Sequence, residues 1–288
     1  MAEDLVIHII LPVHNRLDST KCFIDCLLKQ SFTQYHLILI DDGSTDGTAD
    51  YVKERIKNLT ILSGQGHWWW GGGLHQGYLW FKAKKQAVDD LVLMINHDTE
   101  FDPDFFEKAI DVLSTRSRTL LLARVYSKQS HQFVEAGVHA DWQRLTFEHT
   151  ENPDRINCLS TRGLFLRVGD LMDIGGFHSV LLPHYLSDYE FTIRAHRRGY
   201  QLMTDPSVTL RVDETTTGYH AWQKSVGRKE FFRDYFSVRS SSNPLYWFSF
   251  VALACPWKFK PLNLVKVFYG GLAIVFRKTF GIYNHKWC

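Results

Sequence analysis

Short apolar runs alternate with segments of helical spacing up to about residue 115, and this alternation constrains the fold most. Four apolar runs have the length of strands and are typical of strands buried in a sheet; they cover residues 6–13, 35–40, 59–62 and 90–95. Helical spacing is found in residues 17–30, 45–57, 77–88 and 105–114. Such alternation requires right-handed crossovers. The sequence therefore predicts an α/β fold with a mostly parallel central sheet flanked by helices.

Polar clusters follow three of the predicted strands, at residues 14–16, 41–42 and 96–98. In open α/β sheets, ligands bind where strands end at their carboxyl edge, and a core strand requires none of these polar residues. The two carboxylates at 41–42 suit hydrogen bonds to a ribose or a base, or they cap a helix. The carboxylate of Asp98 suits a divalent cation, or residues 96–98 form a turn. The pattern indicates one ligand site at this edge.

Three Trp and several Gly are mixed in residues 64–73, which predicts a loop where the backbone approaches a ligand and rings stack on it. Binding of a protein partner is the alternative for this cluster. A helix is predicted over residues 187–198. Its acids Asp188 and Glu190 lie about 200° apart on a helix, so only one of them can face a given pocket. The alternative is that both favour the helix dipole.

Charge and composition exclude several classes of protein. The 288 residues carry 33 basic and 31 acidic side chains, a balance that does not suit a protein gripping nucleic acid by charge. Aromatic residues make up 14% of the chain, and their rings suit sugars, nucleobases or a membrane interface. The five cysteines have no disulfide or zinc spacing, and the acidic start of the chain does not resemble an export signal. We expect a cytoplasmic, enzyme-like protein.

The sequence changes character near residue 229, which divides the chain into a predicted domain at 1–228 and a helical segment at 229–288. Apolar stretches at 245–255 and 262–276 are shorter than a membrane span. Trp247, Trp257 and Tyr269 lie among basic residues, as in an interfacial anchor at the inner face of the cell membrane. A helical subdomain that packs on the core or forms a homodimer is the alternative.

The order of these motifs resembles the family 2 glycosyltransferases, which are inverting enzymes of the GT-A fold. The resemblance covers roughly residues 5–225 and includes a Trp-rich glycine segment similar to that of rhamnosyl- and galactofuranosyl-type transferases. The matching segments are 9–16, 39–48, 71–73, 96–98 with Pro103, 161–163, 175–177 and 188–200.

The resemblance implies a role for each matching residue. The nucleotide pocket would be lined by Pro12, His14, Arg16 and Asp42, with Asp41 supporting the loop or contacting the base or ribose itself. Other residues implied in donor binding are Trp69, Trp70, Gly71, Asn96 and Arg162. Asp188 matches the catalytic base, although Ser187 stands where the family often has an acid.

The resemblance also implies Mg²⁺ or Mn²⁺. Asp98 would be the main ligand, because Asn96 replaces the first acid of the family's metal motif. A second ligand would be Asp213 or His220, since the family's later metal-binding His has no match in residues 207–215. Metal-independent catalysis, with Arg211 neutralising the phosphates, is the alternative.

The expected reaction is transfer of a sugar, with inversion, from a UDP- or dTDP-sugar to a hydroxyl of a glycan or lipid-linked glycan. Synthesis of bacterial surface polysaccharide is the expected setting. A sugar-phosphate nucleotidyltransferase and a non-catalytic carbohydrate-binding or assembly subunit are the alternatives. A Rossmann dehydrogenase is disfavoured, because no Gly-x-Gly-x-x-Gly follows the first strand.

Overall fold

A computed structural model describes residues 5–213 and 227–280. Four strands form a parallel half-sheet in the order β3-β2-β1-β4. They are β1 (Ile7–Val13), β2 (Tyr35–Asp41), β3 (Leu59–Ser63) and β4 (Leu91–Met94). All four predicted strands are therefore present, and their carboxyl ends meet at one edge.

The sheet continues from β4 through β10, β6 and β11 to β5, and β7 pairs with β6. These strands are β5 (Thr99–Glu100), β6 (Thr119–Ser127), β7 (Phe133–Glu135), β10 (Leu164–Arg167) and β11 (Gln201–Val212). Strand β10 runs antiparallel to both of its neighbours, whereas β6 and β11 are parallel. The sheet is thus mixed in its second half. A separate antiparallel pair contains β8 (Gly137–Asp141) and β9 (Thr146–Thr150).

Helices cover both faces of the sheet, as predicted. One face packs against α1 (Leu17–Leu27), α2 (Thr48–Arg55) and α4 (Phe105–Ser114). The other face packs against α3 (Trp69–Lys84), α5 (Val168–Ile174) and α6 (Ser187–Arg197). The predicted α/β class is confirmed.

Helix α3 begins at Trp69, eight residues before the predicted start, so the prediction of a loop is wrong for residues 69–73. Tertiary contacts override the low helix propensity of the glycines. A Cβ on Gly71 would lie 2.6 Å from the carbonyl oxygen of Leu182, and the N–H of Gly71 donates to Pro183 at 2.8 Å. Glycine is therefore needed here for close packing of the helix against the segment before α6.

The C-terminal part of the chain is helical, as predicted. It contains α7 (Arg228–Tyr235), α8 (Pro244–Ala254) and α9 (Lys260–Phe280). Phe250 and Ala254 of α8 share a buried apolar cluster with Ile193 of α6. Trp257–Thr279 is long and apolar enough to cross a membrane by length and composition, and most of it is exposed. The division into domains at residue 228 stays a prediction.

Candidate functional site

The carboxylate of Asp42 accepts four backbone N–H groups. Its Oδ1 lies 2.8 Å from the nitrogen of Gly66 and 3.1 Å from that of His67. Its Oδ2 lies 2.7 Å from the nitrogen of Trp68 and 3.2 Å from that of Trp69. The last two N–H groups open α3, where a negative charge also stabilises the helix dipole. Asp42 thus fixes the segment that carries the tryptophans, and its contact with a nucleotide stays a prediction.

The other acids of the loop after β2 bind nearby backbone. Asp41 is largely buried, and its Oδ1 accepts the N–H of Ser44 at 2.9 Å. Asp46 accepts the N–H of Leu17 at 2.9 Å and that of Thr48 at 3.1 Å, which ties the first turns of α1 and α2 together. The loop is therefore held in place by its own carboxylates.

The residues at the end of β1 lie beside this loop. Nδ1 of His14 is 2.7 Å from the carbonyl oxygen of Asp42, so this nitrogen carries the proton and donates it. Pro12 is buried and packs against Gly73 of α3. A Cβ added to Gly73 would lie 3.2 Å from the Cβ of Pro12. The side chains of His14 and Arg16 are exposed at the edge of the sheet. They are accessible to a ligand there.

Residues 96–98 follow β4 at the same edge. Nδ1 of His97 lies 2.8 Å from Oγ of Ser19, and burial lowers the pKa of this imidazole. Oδ1 of Asn96 is buried without a hydrogen-bond partner in the part of the chain that the structure describes. A buried amide oxygen of this kind is suited to bind a hard cation. Asn96 and the carboxylate of Asp98 therefore offer oxygen ligands that fit Mg²⁺ or Mn²⁺.

Such ions are commonly shared between one or two protein groups and the phosphates of a substrate. This arrangement fits the described residues, among which no group of three His, Cys, Asp or Glu side chains could hold a metal. In the antiparallel pair of β11 and β5, Val212 lies opposite Thr99. Asp213 follows Val212 and Asp98 precedes Thr99, so the two acids lie at the same end of this strand pair. Asp213 Oδ1 accepts a hydrogen bond from Gln129 at 2.7 Å. His220 lies outside the described residues.

Asp188 stands in the first turn of α6 and is partly buried. Burial raises the pKa of its carboxyl group to about 6, against the opposing effect of the Tyr189 N–H, which lies 3.0 Å from Oδ1. Glu135 raises this pKa further, and Arg162 lowers it. At pH 7 such a carboxylate is ionised and is still basic enough to accept a proton, as a general base must.

Helix α6 is fixed so that Asp188 faces the segment before β10. Oγ1 of Thr192 donates to the carbonyl of Leu159 at 2.8 Å, and the N–H of Leu159 donates back at 3.0 Å. Ser187 is 1% exposed and packs closely against Gly71. A Cβ added to Gly71 would lie only 2.8 Å from the Cβ of Ser187. A larger acid would not fit at position 187 without displacing α3.

The second acid of this turn, Glu190, has a structural role. Its carboxylate is 2% exposed and accepts two hydrogen bonds from Arg194, at 2.9 and 3.0 Å. The same guanidinium donates to the carbonyls of Ile174 and Gly176 and so holds the turn after α5. The charge of Glu190 is therefore balanced by Arg194 in an ion pair. Asp188, in contrast, has a raised pKa.

The tryptophans connect the loop after β2 to the segment before β10. Nε1 of Trp70 donates to Oγ1 of Thr161 at 2.9 Å. The backbone of Trp69 has a φ of 56°, a left-handed conformation that is uncommon for a bulky residue. Its ring centroid lies 5.7 Å from that of His184 and 5.4 Å from the guanidinium of Arg239.

Sequence reasoning missed three residues of this region: Glu135, His184 and Arg239. Glu135 forms an ion pair with Arg162 at 3.9 Å, and both charges act on the carboxyl group of Asp188. Burial lowers the pKa of His184 to about 4, and the charge of Arg239 lowers it further. None of the three belongs to a recognisable motif. The available signal for Arg239 is its place in the basic C-terminal segment, for which packing on the core is one of the two predicted roles.

Solved structures of glycosyltransferases share this fold. S. aureus TarS 1-349 in complex with UDP-GlcNAc superposes with a TM-score of 0.58 at 17% identity, covering 92% of this chain and 72% of that one. GalNAc-T7 with UDP, GalNAc and Mn²⁺ gives a TM-score of 0.61 at 13% identity over 91% and 55% of the two chains. The mannosyltransferase PcManGT from Pyrobaculum calidifontis, with GDP-Man and Mn²⁺, gives 0.53 at 15% identity over 97% and 81%. The predicted GT-A fold is confirmed.

The sequence places the chain more narrowly. The profile of glycosyl transferase family 2 matches residues 8–168, more than half of the chain. The chain belongs to glycosyl transferase family 2. It is 24% identical over 200 residues to an N-acetylglucosaminyl-diphospho-decaprenol L-rhamnosyltransferase of Mycobacterium tuberculosis. That match covers 60% of this chain and 65% of the relative, so the chain spans less than two thirds of the relative's length.

Proposed function

We propose that this glycosyltransferase inverts the anomeric centre of a sugar as it transfers it from a UDP- or dTDP-sugar to a hydroxyl of a lipid-linked glycan. The observation that carries the proposal is Asp188, a partly buried carboxylate with a pKa near 6 beside the tryptophan segment. The rhamnosyltransferase relative, whose name describes a diphospho-decaprenol acceptor, supports the lipid-linked class. Bacterial surface polysaccharide synthesis at the cytoplasmic face of the membrane is the setting we propose.

Asp188 would act as the general base. As the acceptor oxygen attacks the anomeric carbon, its proton passes to the carboxylate of Asp188. The bond between that carbon and the diphosphate oxygen breaks, and its electron pair leaves with the nucleoside diphosphate. Attack opposite the leaving group inverts the configuration. The raised pKa of Asp188 brings it closer to the working pH, which favours proton transfer in the transition state.

The leaving diphosphate needs positive charge around it. A bound Mg²⁺ or Mn²⁺ would supply Lewis-acid stabilisation of this charge. Asp98 and Asn96 would hold the cation, with Asp213 as the further candidate. Arg211 is less suited to the metal-independent alternative, because its guanidinium is bound to Asp102 at 2.7 Å.

The tryptophans would form the apolar wall of the site. Trp70 is held by Thr161, and Trp69 is covered by Arg239. Such a wall excludes water from the anomeric carbon and so limits hydrolysis of the donor.

The test is Asp188→Asn in the full chain. We expect transfer to fall by about 10²- to 10⁴-fold, the usual contribution of a general base, while nucleotide affinity measured by calorimetry with Mn²⁺ stays within about twofold. Glu107→Gln, an exposed acid on α4, is the matched control and should leave both quantities unchanged. The donor is identified first with a panel of UDP- and dTDP-sugars. Undiminished transfer by the Asn variant would remove Asp188 as the base.

A further inference from the structure

Helix α9 exposes apolar side chains and turns polar ones towards the protein, the reverse of a helix on the surface of a water-soluble domain. Its exposed side carries large apolar residues, between 47% and 65% exposed, at i, i+3 and i+4 spacing. They are Leu262, Val265, Phe268, Tyr269, Leu272 and Phe276. Trp257, just before the helix, is 83% exposed. We call these seven residues the apolar face; contiguous exposed apolar surface of this kind marks an interaction site.

The polar residues of the same helix turn towards the protein. Asn263 is fully buried, and its Nδ2 donates to the carbonyl of Trp142 at 2.8 Å. Nζ of Lys266 donates to the carbonyl of Gln143 at 2.6 Å. The one charge in the middle of the helix is thereby withdrawn from the apolar face. A water-exposed helix would place these side chains on the opposite side.

The same contacts decide how α9 would meet a bilayer. Asn263 and Lys266 bind the body of the protein along the first half of the helix, and Arg228 donates to the carbonyl of Thr279 near its end at 3.1 Å. These contacts hold α9 against the body of the protein. They favour a helix that lies along the membrane surface, with the apolar face inserted at the headgroup boundary.

Charge selects the kind of surface. Residues 235–288 contain seven Lys or Arg and no Asp or Glu, whereas the rest of the chain has a net charge of −5. Lys258 and Arg277 are exposed near the two ends of the apolar face. Exposed Trp and Tyr are typical of the membrane interface. A basic rim around apolar side chains complements anionic lipid, because juxtamembrane cations are attracted to anionic headgroups.

We infer that the apolar face binds the surface of an anionic lipid bilayer, with α9 lying parallel to it. This goes beyond the proposed reaction and does not depend on the identity of the donor. It also suits that reaction, because Val267 of α9 shares a buried apolar cluster with Val251 of α8, and α8 in turn packs against α6, the helix that carries Asp188. Helix α8 packs against α6, and the ring of Phe147 lies 5.4 Å from that of Tyr189 and 5.9 Å from that of Trp247.

Vesicle flotation of the full chain tests the inference. Wild-type protein should float with vesicles of phosphatidylcholine and phosphatidylglycerol and much less with phosphatidylcholine alone. Val265→Ser combined with Phe268→Ser and Leu272→Ser should weaken partitioning at least about tenfold, since a tenfold change requires only ~1.4 kcal/mol. Lys258→Gln with Arg277→Gln should reduce flotation with anionic vesicles and its dependence on salt.

Matched controls use the same chemistry on the body of the protein. Val88→Ser with Val180→Ser removes exposed apolar side chains, and Lys53→Gln with Lys57→Gln removes exposed charges. Both controls should float like wild type, and circular dichroism verifies that every variant is folded. Equal flotation of the serine variant and wild type would overturn the inference. A wild-type dimer in light scattering that the serine variant abolishes, without vesicle binding, would assign the face to a second copy of the chain.

Discussion

The same three strands, β1, β2 and β4, carry histidine and aspartate at both of their ends. At the carboxyl edge these are His14, Asp42 and Asp98. At the amino edge they are His8, His36 and Asp90, which form a connected and largely buried set. The residue types match, yet within residues 5–213 and 227–280 only the carboxyl edge lies beside Asp188, a carboxyl group with a raised pKa, and a buried amide oxygen suited to a cation.

The hydrogen-bond partners of the histidines at the amino edge explain the difference between the two edges. At the amino edge, Nε2 of His8 lies 3.0 Å from Oδ2 of Asp90, and Nδ1 of His8 lies 3.3 Å from Nδ1 of His36. Nε2 of His36 lies 3.0 Å from Oγ1 of Thr60. We assign neutral rings, with the Thr60 hydroxyl donating to His36, His36 to His8, and His8 to Asp90. Each ring nitrogen of the two histidines therefore has a partner within the protein.

The largest effect on stability is expected from Asp42→Ala. The change leaves four backbone N–H groups of residues 66–69 without their acceptor, and each unmet group that stays out of water is costly. Because the segment is partly exposed, we expect the free energy of unfolding to fall by about 3 kcal/mol in urea denaturation. Transfer should be lost as well, since the tryptophans would no longer be held in place.

The adjacent acid provides the control. The carboxylate of Asp41 accepts a single backbone N–H, that of Ser44. Asp41→Ala should therefore lower the free energy of unfolding by only about 1 kcal/mol. Equal losses for the two variants would show that the four hydrogen bonds of Asp42 stabilise the protein no more than the single one of Asp41.

The second effect concerns the amino edge in acid. Burial lowers the pKa of His36 to about 4, and it also lowers that of His8. Both pKa values lie below the unfolded value near 6.5, so stability is complete above that pH and is lost as the pH falls towards 4. Each pKa unit of difference between the folded and unfolded states is worth about 1.4 kcal/mol of stability. Because His36 is partly exposed, we expect the free energy of unfolding to fall by about 2 kcal/mol in total.

Urea midpoints measured between pH 7 and pH 4 test this expectation. His36→Gln keeps a donor and an acceptor at the position but cannot titrate, so its stability should fall less steeply than that of the wild type. Parallel pH curves for the two proteins would contradict a role of the histidine pair.

The comparison also shows what sequence reasoning can reach. Apolar runs and the polar residues that end them predicted the parallel half of the sheet and its carboxyl edge, because strand burial and chain direction are local properties. The start of α3 was missed because it depends on the carboxylate of Asp42 and on close packing at Gly71, both distant in sequence. His8 and His36 went unnoticed within apolar runs, and Arg239 reaches Trp69 only through the tertiary fold.

The smallest effect is the pH dependence of the reaction at the carboxyl edge, and it separates the two edges. With a pKa of about 6, Asp188 loses its charge as the pH falls, so kcat/KM should decline about tenfold between pH 7 and pH 5, equivalent to ~1.4 kcal/mol. Glu135→Gln removes a charge that raises this pKa and should move the acidic limb to lower pH. His36→Gln should leave the limb unmoved, because the amino edge acts on stability alone. A limb that shifts with His36 and not with Glu135 would mean that unfolding, rather than protonation of the base, limits the enzyme in acid.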